Sequence, residues 1–397
     1  MHKIPPNNLP DPKNRLDRFK LRFIAIFIIA ALFSPNRAYS NPPPLIGAQI
    51  SVLEAADTKG CAIYFNQLRK LGYNTIILRV FHNRGDRFHG PVAEAARQRQ
   101  PEGVYFANQQ VPVVSNLLTP VCALAHEAGL QVMAWMTTLK ADYSHTLKST
   151  VLSYNETNGK VEAEARLLDP EANENIDFII HLFTDLAAQP IDGILLQDDL
   201  MLRYKQGFQM EDDRVVPAPD KLYVFKRKNQ KEIETLRPYF KKWRQHQALI
   251  LQTLARRIFT ACRRIKPNLI CAQNVHYEVF LNENWGRDWF AMTKTALESS
   301  TADYLMVMTY QKRMIRELEL KPGELNTVME KIFTRGRNWQ KTKLIFKFTT
   351  PQAQLPAAGR AASLATLHRV INQARRHNYF DLVLTPCNNL TAAAAIK

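Results

Sequence analysis

Two adjacent carboxylates, Asp198 and Asp199, follow the apolar run Ile191-Asp192-Gly193-Ile194-Leu195-Leu196-Gln197. Paired acids at the end of a buried strand are costly unless they have partners or work to do. In parallel sheets, the carboxyl ends of the strands are also where chemistry is placed. Two carboxyls this close repel, which raises one pKa and suits that group to donate a proton. The competing reading is structural, because aspartate is favoured in turns and at helix N-caps. The sequence leaves the division of roles between the two open.

Other side chains able to meet a ligand sit at or just past further apolar runs: Arg79, His82 and Asn83 after one, Trp135 within the next, then Asn274 and His276, Tyr310, and Lys347. Carboxylates ringed by aromatics and amides are the usual makeup of a sugar site, since sugar rings pack on aromatic faces while acids and amides bind hydroxyls. For Trp135 and Tyr310 the plain alternative is packing within a layer of the core. His82, Asp86 and His89 suggest a metal cluster only weakly. Three polar residues in one loop more often mean solvent exposure, so no metal is expected. No glycine-rich phosphate loop follows any strand, so no nucleotide cofactor is expected either.

The elements that must position these residues follow a repeated beat. Strands are read at Ile46 to Leu53, Thr75 to Phe81, Gln131 to Met136, Gly193 to Gln197, Leu269 to Gln273, Asp303 to Met308, Lys343 to Phe348 and Asp381 to Leu384. Between them lie amphipathic helices at Cys61 to Leu71, Leu117 to Ala128, Ile176 to Ala187, Ala248 to Ile265, Leu325 to Phe333 and Leu364 to Ala374. Eight apolar strands alternating with helices predict an α/β fold: a (β/α)8 TIM-type barrel, one domain with long βα-loop insertions. The longest insertion, Arg203 to Arg244, holds twelve Lys+Arg against six Asp+Glu and reads as a solvated excursion.

Lys13, Arg15, Arg18, Lys20 and Arg22 precede the eleven apolar residues Phe23 to Phe33, and Ala38-Tyr39-Ser40 follows. This is the pattern of a signal peptide over residues 1–40, ahead of a barrel domain at 41–397, and it predicts a periplasmic or secreted protein. An uncleaved anchor is the alternative. The net charge of +17 includes a leader with seven Lys+Arg and two Asp+Glu, leaving the remainder near +12. Such a charge favours anionic polymers, membrane surfaces or an export machinery as neighbours. A nucleic-acid partner is not expected, given the leader and the lack of any binding signature. None of the five cysteines has C-x-x-C spacing; Cys262 and Cys271 could bridge, but the odd count leaves at least one thiol unpaired. The sequence sets no oligomeric state.

Tyr73-Asn74-Thr75 into Phe81, Gly103-Val104-Tyr105-Phe106-Ala107-Asn108 through Val111-Pro112, Gly129 to Met136, and Asp192 to Asp199 stand in an order and spacing that match a known pattern. Together with Trp289-Phe290, Met308-Thr309-Tyr310 and Phe346, they resemble the C-terminal hydrolase domain of bacterial poly-β-1,6-N-acetylglucosamine N-deacetylases over most of residues 45–390. The resemblance implies a (β/α)8 barrel that cleaves β-1,6-linked glucosamine polymers internally. Too few residues precede Ile46 to hold the deacetylase domain, so deacetylation and its metal are not expected. The chain also departs from the pattern. Arg203-Tyr204-Lys205-Gln206-Gly207 replaces further acids after the aspartate pair, Asn83 replaces an acid, and Lys347 an acid or amide. A groove suited to a cationic polymer would then be neutral or positive, favouring anionic or neutral acetylated glycans. The retained pair still permits cleavage assisted by the sugar's own 2-acetamido group. Two readings follow: an endo-acting glycoside hydrolase of an exopolysaccharide with Asp198 and Asp199 as acid and stabiliser, or a non-catalytic carbohydrate-binding barrel that assists export or modification of an anionic polysaccharide.

Overall fold

Short runs of large aliphatic and β-branched residues, apolar on both faces, need hydrogen-bonded neighbours on both sides and helices over the sheet. The computed structural model describes residues 43–143, 149–155, 157–211, 214–216, 238–352 and 354–396; the leader read at residues 1–40 lies outside them. Here the runs form β1 (Ile46–Ile50), β2 (Thr75–Arg79), β3 (Gln131–Met136), β4 (Gly193–Leu196), β5 (Ile270–His276), β6 (Tyr304–Met308), β7 (Lys343–Thr349) and β8 (Leu382–Thr385). The strands pair in parallel and in chain order, and β8 returns to β1 to close the barrel, with Ile46 opposite Leu382. The fold is the (β/α)8 barrel read from the sequence. Strand β1 is shorter than its apolar pattern because the amides of Ser51 and Val52 turn to Asn388 Oδ1, both at 3.0 Å.

The longer helices between strands are α1 (Thr58–Leu71), α2 (Leu118–Glu127), α3 (Asn173–Ala187), α4 (Pro238–Ile265), α5 (Glu324–Arg337) and α6 (Ala357–Arg376). Helix α1 illustrates how they are fixed. The Asp57 carboxylate accepts the Gly60 amide at 2.7 Å, Cys61, Tyr64, Phe65 and Leu68 form one buried face, and Gly72 stops the helix at φ 102°.

Helices and sheet enclose the main core, while a second apolar cluster fills the barrel itself: Leu45, Ile77, Met133, Leu195, Ala272, Met306, Ile345 and Val383. Each strand thus gives one residue to this inner plug. Side chains alternate with period two along a strand, so the next inward positions toward the carboxyl ends are Arg79, Trp135, Gln197, Asn274, Met308, Lys347 and Thr385, with Gln49 level with Ile77. These residues form the floor of the mouth.

One feature is absent from the sequence reading. Thr150–Asn155 and Lys160–Leu168 form a hairpin in the loop after β3, and Gln206–Glu211 with Arg214–Val216 form another after β4; the two join into a four-stranded antiparallel sheet on the rim. Glu164 fastens them, accepting from Ser153 Oγ (2.6 Å) in its own hairpin and Gln206 Nε2 (2.5 Å) in the other. The stretch from Arg203 to Arg244 is therefore partly sheet, and Arg244 itself is 0% exposed rather than solvated. All five cysteines are free and buried, so Cys262 and Cys271 do not bridge: their thiols lie against the carbonyls of Phe183 and Leu269.

Candidate active site at the barrel mouth

The chain leaves β4 at Gln197, whose amide still bonds Met136 O at 3.0 Å, and turns through the two aspartates. They part there. Asp199 is taken up by the turn after β3. Its carboxylate accepts Thr137 Oγ1 (2.6 Å), the Thr138 hydroxyl, and the amides of Thr138 (2.8 Å), Leu139 (2.9 Å) and Lys140 (2.8 Å). Burial pushes its carboxyl up, against the hydrogen bonds from Thr137 and Thr138 that favour the ion. Both oxygens of Asp199 thus accept from the turn after β3.

Asp198 is partly exposed, and its charge is felt by three groups around it: Lys347, Tyr310 and Arg313. Other carboxyls of this rim are held in ion pairs: Asp86 with Arg79, Asp142 with Arg166 at 2.8 Å, and Glu317 with Arg313 at 2.8 Å. Glu278 is fully buried, 3.9 Å from His276. Among the described residues, Asp198 is partly exposed and in no ion pair.

Beneath it, Lys347 is 0% exposed and donates to Asn274 Oδ1 at 2.7 Å, while Asn274 Nδ2 donates to Leu196 O at 3.1 Å. Burial drags the lysine down to about 7, with the Asp198 charge opposing it. Its ammonium lies 5.9 Å from the Tyr310 ring centre, and burial raises the tyrosine's own pKa. His276 stacks on Phe290 at 3.8 Å, and burial lowers it to about 3, which favours the neutral ring.

On the other side, Arg79 pairs with Asp86 and covers the Phe81 ring at 4.2 Å, and Trp135 meets Phe81 edge-on. The positive mouth expected from Arg79 and Lys347 is accordingly weakened: one charge is paired with Asp86 and the other is buried, where desolvation disfavours the ammonium. His82 and Asn83 do not reach the floor. His82 is buried in a loop, bonded to Tyr105 Oη at 2.7 Å and stacked on Phe88, with burial lowering it to about 4. Asn83 Oδ1 accepts the Asp142 amide at 3.1 Å and so ties the loops after β2 and β3 together. Within the loop after β2, Gly103 allows a close approach to Pro112, because at φ 140° a Cβ would sit 2.1 Å from Pro112 O. His89 spends both ring nitrogens, on the Leu53 amide and the Arg79 carbonyl, and among the described residues no three His, Cys, Asp or Glu gather around a common point. The structure thus brings Asp198, Arg79, Trp135, Asn274, Tyr310 and Lys347 to one mouth and leaves His82, Asn83 and Asp199 to its support. Gln49, Gln197 and Arg313 were not singled out in sequence, although the two-residue alternation marks both glutamines.

No curated protein sequence matches the chain. Among solved structures, the PgaB (BpsB) glycoside hydrolase domain from Bordetella bronchiseptica is similar at 15% identity over 87% of this chain and 95% of that one, with a TM-score of 0.62. The catalytic domain of a β-amylase from Paenibacillus polymyxa (12% identity, 88% and 94% covered, TM-score 0.54) and an endo-1,4-β-mannanase from Rhizomucor miehei (10%, 86% and 85%, TM-score 0.52) share the fold. At these identities the likeness is one of fold. The sequence itself matches the model of hypothetical glycosyl hydrolase family 13 over residues 69–379, and on that match the chain belongs to this family.

Proposed function

We propose that the protein is an exported glycoside hydrolase that cleaves an N-acetylated glucosamine polymer internally, with Asp198 as its catalytic carboxyl. The observation that carries this reading is the division between the aspartates: Asp199 is fully engaged by the turn after β3, while Asp198 faces the mouth without an ion pair. A single open carboxyl suits substrate-assisted cleavage, a recognised exception to the two-carboxylate scheme. The 2-acetamido oxygen attacks the anomeric carbon while Asp198 gives its proton to the departing glycosidic oxygen. Water then opens the cyclic intermediate and returns a proton to Asp198. The polymer's identity is supported by the resemblance of Gly129 to Met136 and Asp192 to Asp199 to the hydrolase domain of poly-β-1,6-N-acetylglucosamine N-deacetylases, and export by the basic and apolar leader.

The lone open carboxyl also favours the second reading, a carbohydrate-binding barrel without turnover. Incubating the protein with β-1,6-linked N-acetylglucosamine oligomers and following product size separates the two. Shortened products from the wild type and none from Asp198→Asn support the hydrolase. Binding without cleavage by the wild type supports the second reading.

A further inference from the structure

Four neighbouring strands, β1 to β4, each place an inward side chain at the mouth with a buried polar atom that meets no partner among the described residues: Gln49 Oε1, Arg79 Nε, Trp135 Nε1 and Gln197 Oε1. Gln49 is 2% exposed, and Arg79 and Trp135 stand side by side in register. Each such atom costs about 1–3 kcal/mol when left without a hydrogen bond. Four on adjacent strands form a coherent arc. On the opposite wall Lys347 donates to Asn274 and Asn274 to the Leu196 carbonyl, and His276 Nε2 alone of the inward polar atoms there meets no partner among the described residues.

We propose that this arc is the ring-binding subsite and that it selects a neutral hexopyranose; that the ligand is a saccharide rests on the hydrolase reading above. The chemistry of the four atoms decides the class. Two are acceptors, at the ends of the arc, and two are donors, at its middle. A sugar hydroxyl both donates and accepts, so adjacent hydroxyls satisfy both kinds. A carboxylate or phosphate, which only accepts, leaves the glutamine oxygens facing it; an ammonium, which only donates, leaves Arg79 and Trp135 facing it. The Arg79 charge is already matched by Asp86, so no net cation remains in the arc to attract an anion. Gln49 and Gln197 are thereby specificity-determining residues, and discrimination comes from leaving buried groups without partners when the wrong ligand enters.

The test uses the full chain carrying Asp198→Asn, so that ligands are bound and not turned over. Titration calorimetry is run with the β-1,6-linked N-acetylglucosamine pentamer, its de-N-acetylated form, mannopentaose and a galacturonate pentamer. The neutral pentamers should bind more tightly than the two charged ones. Adding Gln49→Met or Gln197→Met should weaken neutral binding about two- to ten-fold, the value of one net hydrogen bond. Because the methionines also remove a buried atom without a partner, the melting temperature should hold or rise. Unchanged neutral affinity in both variants, a lowered melting temperature in both, tighter binding of a charged pentamer, or no binding of either neutral pentamer overturns the proposal. The two readings fail separately. If the wild type cleaves the N-acetylglucosamine pentamer and the glutamine variants keep its KM, the arc is wrong and the hydrolase stands. If nothing is cleaved but neutral binding depends on the glutamines, the hydrolase reading falls and the arc stands.

Discussion

Asp198 and Asp199 are the same residue type one position apart, yet they have opposite duties because only one meets the amides of the 137–140 turn. The sequence flags the pair but cannot divide it, since the division depends on a loop sixty residues away in the chain. Asp199→Asn replaces an acceptor-only group by one with two donors, which must face the amides of Leu139 and Lys140. We expect a loss of about 2–4 kcal/mol in denaturant unfolding. Asp198→Asn should change stability by less than about 0.5 kcal/mol and cut turnover by about 10²–10⁴-fold. Lys347 gives a third check. Its folded pKa, about 7, lies below the unfolded value of 10.5, so between these the unfolded chain binds more protons and the group's contribution to stability rises with pH. Below pH 7 the buried ammonium costs the fold its full desolvation, on the order of 5 kcal/mol for a shift of this size. Lys347→Met should therefore unfold at a higher temperature than the wild type at pH 6, and should lose the rise in stability that the wild type shows from pH 7 to 10.

The barrel strands were legible because each is a short run dominated by apolar residues, a pattern expected of a sheet covered on both faces. The rim sheet was not. Its strands carry Glu162, Glu164, Gln206 and Gln209 and are held by side-chain hydrogen bonds such as those to Glu164, so their composition is that of a solvated loop. Arg244 was misread for a related reason, its charge suggesting solvent. Its guanidinium in fact donates to the carbonyls of Leu202 (2.5 Å), Arg203 (3.2 Å) and Arg287 (3.3 Å), gathering the loops after β4 and β5 onto α4. Arg244→Leu strands those carbonyls and should destabilise by about 3–5 kcal/mol. Arg244→Lys should not rescue it, since a single ammonium cannot span the fork. Hydrogen exchange across residues 202–211 should quicken in both variants.

At the scale of the whole molecule, composition spoke to neighbours and not to the site. The net charge of +17 suggested an anionic ligand, but a net charge does not say where the charges sit, and at the mouth floor Arg79 is paired with Asp86 and Lys347 is buried. Among the described residues no helix is long and apolar enough to cross a membrane. The closure of the barrel has a consequence for the order of events during synthesis. The first strand emerges from the ribosome long before its second neighbour exists: Leu45 donates to Asp381, Leu382 to Leu45, and the Tyr64 and Tyr73 hydroxyls reach Cys387 and Ala393. Until the last residues are made, the nascent chain carries two raw sheet edges, one at β1 and one at β7, each a template for pairing with another molecule. A chain ending at Tyr379 should keep both edges permanently and elute as aggregate in size-exclusion chromatography. Addition of the residues from Phe380 onward is thus the event that turns an adhesive intermediate into a sealed one, and a holdase chaperone should capture ribosome-stalled chains that stop short of β8 and release those that include it.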